Sequence, residues 1–163
     1  MPQLVDVPSM AQWIQREGVG SIIERMVGYI EEDFRKWERF DKIPRVATHT
    51  PVGVIELMPT SDFETYSFKY VNGHPSNPAR GYQTVTAYGM LSDVDNGYPT
   101  FFAEMTLLTA LRTAATSVMV AKRLARPDSR SMALIGNGSQ SEFQALAFMA
   151  LLGVRELRLF DID

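Results

Sequence analysis

The most specific chemistry in this chain lies in two glycines and an acid. Gly136-Asn137-Gly138-Ser139-Gln140-Ser141 follows a short apolar run, Ser131 to Ile135, and opens a stretch of helix formers reaching about Leu152. A second run, Glu156 to Phe160, ends at Asp161. A strand, a tight glycine turn, a helix and a second strand make the first βαβ unit of a dinucleotide-binding domain. A pyrophosphate needs backbone amides at close range and the positive end of a helix. In this pattern Gly136 gives the tight turn and Gly138 the close approach, while Ser139 and Gln140 open the helix as further cofactor contacts. Ser141 stands where a third glycine often sits and is small enough for helix and strand to pack. About 25 residues separate Gly136 from Asp161, near the roughly 20 of the motif. Asp161 would accept hydrogen bonds from the adenosine ribose and repel a 2′-phosphate, which favours NAD over NADP. Asp163 is the alternative for that role. A glycine pair alone also suits an ordinary strand-to-helix turn, so the context carries the reading.

Four charged residues extend the list. Lys69 lies inside a β-like run, Phe63 to Val71, on the face shared by Thr65 and Ser67. Arg112, with Thr113 beside it, lies in an otherwise apolar helical stretch, Met105 to Ala125. An arginine on a buried helix face needs an anionic partner. Arg45 borders a proline turn and by itself reads as a surface charge. Glu56 alternates with Val54, the pattern of a solvated strand face, and its carboxylate suits an amine.

The chain has 163 residues, no cysteine and a formal net charge of −3. The missing cysteine excludes disulfides, thiolate metal sites and cysteine nucleophiles within it. The charge gives no broad basic field for nucleic acid or an acidic membrane. The opening MPQLVDVPSM lacks the basic and apolar regions of a secretory signal. The apolar-rich stretch from Phe143 to Gly153 falls far short of the roughly 20 residues of a membrane span. A soluble cytoplasmic protein is expected, with no metal site.

The elements that position these residues follow from periodicity. Ser9 to Gln12 and Ser21 to Glu24 have capping-box spacing, so two helices are expected near the start. Ile22, Ile23, Met26, Val27, Ile30, Phe34 and Trp37 make one apolar stripe. From Arg45 to Phe102 the period shortens. Gly53 to Met58, Phe63 to Val71 and Tyr82 to Leu91 read as strands, the last with Tyr82, Thr84, Thr86 and Tyr88 on one face. Asp95-Asn96-Gly97 signals a hairpin back into Tyr98 to Ala103. The expected fold is α/β. An N-terminal α+β substrate and dimerisation domain, residues 1–126, carries a mostly antiparallel sheet. The first βαβ unit of a truncated Rossmann domain follows at 127–163.

Phe68-Lys69-Tyr70-Val71-Asn72, Leu108-Thr-Ala-Leu-Arg112-Thr113-Ala-Ala and Gly136-Asn-Gly-Ser-Gln140-Ser together resemble the ornithine cyclodeaminase / mu-crystallin family. Lys69-Tyr-Val-Asn-Gly-His-Pro resembles its bacterial cyclodeaminase branch. The resemblance covers nearly the whole chain. It implies conversion of L-ornithine to L-proline and ammonia, with NAD taking and returning a hydride. It implies that Arg45, Lys69 and Arg112 hold the substrate carboxylate, with Glu56 near the distal amine. It places Thr84, Arg112 and Thr113 in contact with the cofactor, and it implies a homodimer formed through the first domain. By sequence alone Thr84 is simply a good strand former.

The family's chains are about twice as long, and its catalytic aspartate lies in the later half. No catalytic residue is therefore assignable here, and the chain is expected to be a fragment, inactive alone. The alternative readings are a related NAD(P)-dependent amino acid dehydrogenase or ketimine reductase on the same skeleton, alanine dehydrogenase-like, or a non-catalytic ligand-binding or dimerising module.

Overall fold

The computed structural model describes residues 1–162; Asp163 lies outside the described residues. Its elements in chain order are β1 (Gln3–Val5), α1 (Val7–Glu17), α2 (Val19–Arg35), β2 (Val46–Thr50), β3 (Gly53–Ser61), β4 (Thr65–Gly73), β5 (Ala87–Asp93), β6 (Pro99–Glu104), α3 (Thr106–Leu124), β7 (Ser131–Ile135), α4 (Ser139–Leu152) and β8 (Glu156–Phe160). They form two compact units. One comprises Met1–Met10 and Lys36–Leu108, the other Ala11–Arg35 and the chain from Thr109 onward.

The first unit is a six-stranded sheet in the order β1-β6-β5-β4-β3-β2. Every neighbouring pair is antiparallel except β1 with β6. The expected hairpin forms: Gly97 takes φ +74° and its N–H donates to the Asp93 carbonyl at 2.9 Å. β1 and β2 were not legible in the sequence. β1 has three residues, too few to show alternation. The strand expected at Tyr82 starts only at Ala87. Ahead of it the Asn72 Oδ1 accepts the Thr86 N–H at 2.8 Å, and the His74 N–H donates to the Thr84 carbonyl at 2.9 Å. Thr84 therefore lies in the connection, not in the strand.

Helix starts also differ from the expected caps. Asp6, not Ser9, caps α1, accepting the Ser9 N–H at 2.9 Å. Glu104 does the same for α3, its Oε1 accepting the Leu107 N–H at 3.2 Å and the Thr106 N–H.

The two faces of this sheet differ in character. On one, Val71, Ala87 and Ala103 are buried. Gly89 lies directly opposite Lys69 on that face. A Cβ added at Gly89 would lie 2.8 Å from the Phe68 carbonyl oxygen and would meet the Met105 thioether. The other face carries a row of rings. Tyr70 stacks on Tyr88 at 4.9 Å, and Phe102 follows at 5.5 Å. Leu4, Leu57, Tyr88 and Phe102 all remain exposed there.

The second unit has the larger apolar core. Ile22 and Ile23 of α2 pack with Leu111, Ala114, Ala115 and Val118 of α3 and Ala147 of α4. Fully burying each large aliphatic side chain contributes about 1.5–3 kcal/mol. β7 and β8 pair in parallel with α4 as the crossover, as the sequence predicts. Among the described residues this sheet has only two strands, so each has one unpaired edge. Ile135, Leu159 and Phe160 are exposed beside those edges.

Replacing Gly89 tests the close approach opposite Lys69. Gly89→Val should lower stability in urea unfolding by about 1–3 kcal/mol, because the Phe68 carbonyl is backbone and cannot swing away. An unchanged midpoint would show that the strands can part there without cost.

Candidate functional site

The polar residues of the first unit gather on one sheet face. Glu56 pairs with Val71 across β3 and β4, and Met58 pairs with Lys69. Directly paired residues share a face, as do residues two apart on a strand, so Glu56 and Lys69 are diagonal neighbours. Lys69 is half-buried there. Arg45, just before β2, reaches across to Glu56, Nη1 to Oε1 at 3.0 Å. The Arg45 side chain is 61% exposed and that of Glu56 only 18%. The carboxylate is thus fixed by the sheet, while the guanidinium keeps donors open to water. An ion pair this exposed adds little stability, so its value is positional. A guanidinium paired with a carboxylate, and a lysine on the same sheet face, suit a zwitterionic ligand: its acid would meet the cations and its amine Glu56. Thr84 stands apart from this group, in the loop before β5, where its carbonyl accepts the His74 N–H at 2.9 Å.

The second unit assembles the glycine turn. Gly136 has φ +88°, a left-handed conformation that favours glycine. Its N–H donates to the Phe160 carbonyl at 2.9 Å. Asp161, just past β8, accepts the Asn137 N–H on Oδ2 at 2.5 Å and the Ile162 N–H on Oδ1 at 2.7 Å. Asn137 is the participant that the sequence did not reveal, since it acts through its backbone. Gly138 caps α4 with extended backbone and no side-chain bond to the helix amides. A Cβ added at Gly138 would meet nothing within 4 Å. That space lies in front of the positive end of a 14-residue helix, which begins with Ser139 and Gln140. Gln140 uses its side chain otherwise, donating Nε2–H to the Ala110 carbonyl of α3 at 3.0 Å.

Arg112 and Thr113 lie near that contact on α3, but not as the sequence predicts. Arg112 is exposed; the buried face of α3 runs through Leu111, Ala114, Ala115 and Val118. Thr113 turns its hydroxyl back to the Thr109 carbonyl at 2.7 Å, and Thr116 and Ser117 do the same one turn on. The features of a phosphate cradle are therefore present: a left-handed glycine, an uncapped helix start, open space and an acid at the neighbouring strand end. They fit a dinucleotide.

A family model for ornithine cyclodeaminase/mu-crystallin proteins matches residues 8–163. The chain belongs to that family. An ornithine cyclodeaminase of Agrobacterium fabrum is 64% identical over 159 residues, which are 98% of this chain and 45% of the relative. A lysine cyclodeaminase, whose structure concerns recognition of L-lysine, L-ornithine and L-2,4-diaminobutyric acid, superposes with a TM-score of 0.89 at 29% identity, over 99% of this chain and 49% of its own. An archaeal alanine dehydrogenase dimer with bound NAD superposes with a TM-score of 0.81 at 26% identity, again over 99% of this chain and 49% of its own. The chain thus spans about half the length of the relatives it matches. Among the described residues no group of three or more His, Asp or Glu side chains is placed to hold a metal ion. No helix among them is long and apolar enough to cross a membrane.

The two turn glycines should respond differently to substitution. Gly136→Ala forces a side chain into the left-handed region and should cost about 1–2 kcal/mol in thermal or urea unfolding. Gly138→Ala meets no protein atom and should stay within about 0.5 kcal/mol of the parent. Equal losses at both positions would contradict the described turn.

Proposed function

We propose that this chain is the N-terminal half of an NAD-dependent ornithine cyclodeaminase, converting L-ornithine to L-proline and ammonia in the cytoplasm. The 64% identity to the Agrobacterium enzyme carries the reading, far above the 26% shared with the archaeal alanine dehydrogenase. The sheet face supports it: Arg45 pairs with Glu56, and Lys69 shares their face, so both a cation and a carboxylate are on hand for an amino acid. In this reading Arg45 and Lys69 hold the substrate's α-carboxylate. Glu56, pinned by Arg45, receives the distal ammonium. Arg112 is a further anion contact, for substrate carboxylate or cofactor phosphate. Residues 1–126 serve substrate binding and dimerisation, and residues 127–163 begin the nucleotide-binding domain.

Gly136, Gly138, Ser139 and Gln140 would take the pyrophosphate, and Asp161 the adenosine ribose. Thr84 and Thr113 complete the proposed cofactor contacts. When bound, NAD supplies a reversible two-electron acceptor for the substrate α-carbon. Asp161 already spends lone pairs on Asn137 and Ile162, so it meets the ribose in a fixed orientation. We assign the homodimer interface to the first unit, since the archaeal relative is a dimer and Leu4 and Phe102, on neighbouring strands at one end of this sheet, lack cover.

The 163 residues alone should not turn over ornithine. The test joins them to the remaining portion of the Agrobacterium relative. The joined chain should release ammonia and proline from ornithine with catalytic NAD and no net NADH, while the 163-residue chain should give neither. NADH accumulation with alanine instead would overturn the substrate, and proline from the short chain alone would overturn its incompleteness.

In the joined chain, Lys69→Met keeps most of the side-chain length and removes the charge. The ornithine KM should rise about ten-fold or more while NAD affinity stays level, as expected for one lost charge-assisted hydrogen bond. An unchanged KM would remove Lys69 from the site.

A further inference from the structure

The sheet face opposite Lys69 holds a concavity of its own. Tyr70 follows Lys69 on β4 and so points to the other side. A cavity of about 600 Å³ opens there, lined by Tyr70, Asn72, His74, Arg80, Tyr82 and Thr86 among others. None of the residues lining it is acidic. It lies wholly within the first unit.

Its walls are fixed by hydrogen bonds. The loop after β4 is closed by Asn77, whose side chain donates to the Gln83 carbonyl at 2.9 Å and whose carbonyl accepts the N–H groups of Arg80 at 2.9 Å and Tyr82 at 3.1 Å. This sets the Arg80 guanidinium over the Tyr82 ring, 5.6 Å from its centroid. A cation stacked this way keeps its outer N–H groups for another acceptor.

The same network fixes the state of His74. The Thr86 N–H can only donate, so the Asn72 atom facing it at 2.8 Å is oxygen. Asn72 Nδ2 therefore faces His74 Nδ1, 3.1 Å away, and donates to it. The imidazole proton then sits on Nε2, leaving His74 a single N–H donor in the cavity wall. The cavity thus combines a stacked guanidinium, an imidazole N–H and two tyrosine rings, with no carboxylate to compete.

The geometry points to a second ligand site here, distinct from the Lys69 face, for a small anion, carboxylate or phosphate, that carries a flat apolar portion. The anion meets Arg80 and His74 Nε2–H. The flat portion lies against the tyrosine rings.

Backbone amide NMR on the 163-residue chain, titrated with benzoate, phenyl phosphate and inorganic phosphate, tests this. Benzoate or phenyl phosphate should shift the amides of Asn72, His74, Arg80 and Thr86 saturably below about 10 mM, with inorganic phosphate weaker. The tighter of the two aromatic anions names the headgroup. Arg80→Gln should weaken that binding about ten-fold or more, and Lys69→Met should leave it unchanged. Absent shifts, shifts insensitive to Arg80→Gln, or inorganic phosphate binding as tightly as the aromatic anions would overturn the site.

Discussion

The packing of one face of α3 is the constraint on which the second unit rests. Leu111, Ala114, Ala115 and Val118 are all fully buried. Two alanines in sequence let the α2 and α4 helices come close, and Ile22, Ile23 and Ala147 fill the space. A close-packed contact of small residues has no slack, so it sets the rotation of α3 about its axis. That rotation sends Arg112 outward and leaves the carbonyl of Ala110 where Gln140 can reach it. The position of an exposed arginine and the anchoring of α4 are thus both decided by alanines.

The same helix shows why the sequence was only partly legible. Leu-Thr-Ala-Leu-Arg-Thr-Ala-Ala is apolar nearly all round, so its periodicity does not say which face is buried. Thr113, Thr116 and Ser117 bond to carbonyls one turn back and can lie against neighbours without a polar penalty. The strand-turn-helix-strand order around Gly136 was read correctly because its signals are local: a glycine that must take positive φ, an apolar run and an acid at fixed distance. β1 and the late start of β5 were not readable, because each depends on a partner distant in sequence. β1 exists through β6, and the segment before β5 is held by bonds from the end of β4, 10 to 14 residues earlier.

Candidate residues divide along the same line. Strand alternation places Lys69 and Glu56 in strands, but it reads Glu56 as a solvated face, whereas the Glu56 side chain is only 18% exposed. The Arg45–Glu56 pair does not follow from alternation, because it joins a loop to a strand interior across a hairpin. Nor could His74 be read as anything but a lone histidine. Its role arises only when Asn72 is oriented by Thr86, two strands' worth of sequence later.

The two-stranded sheet of β7 and β8 has a consequence for handling the protein. Among the described residues each strand has one edge without a partner strand, flanked by exposed Ile135, Leu159 and Phe160. An apolar edge of this kind is a template for another extended segment. An edge-directed substitution such as Leu159→Lys would then be expected to raise solubility at high concentration.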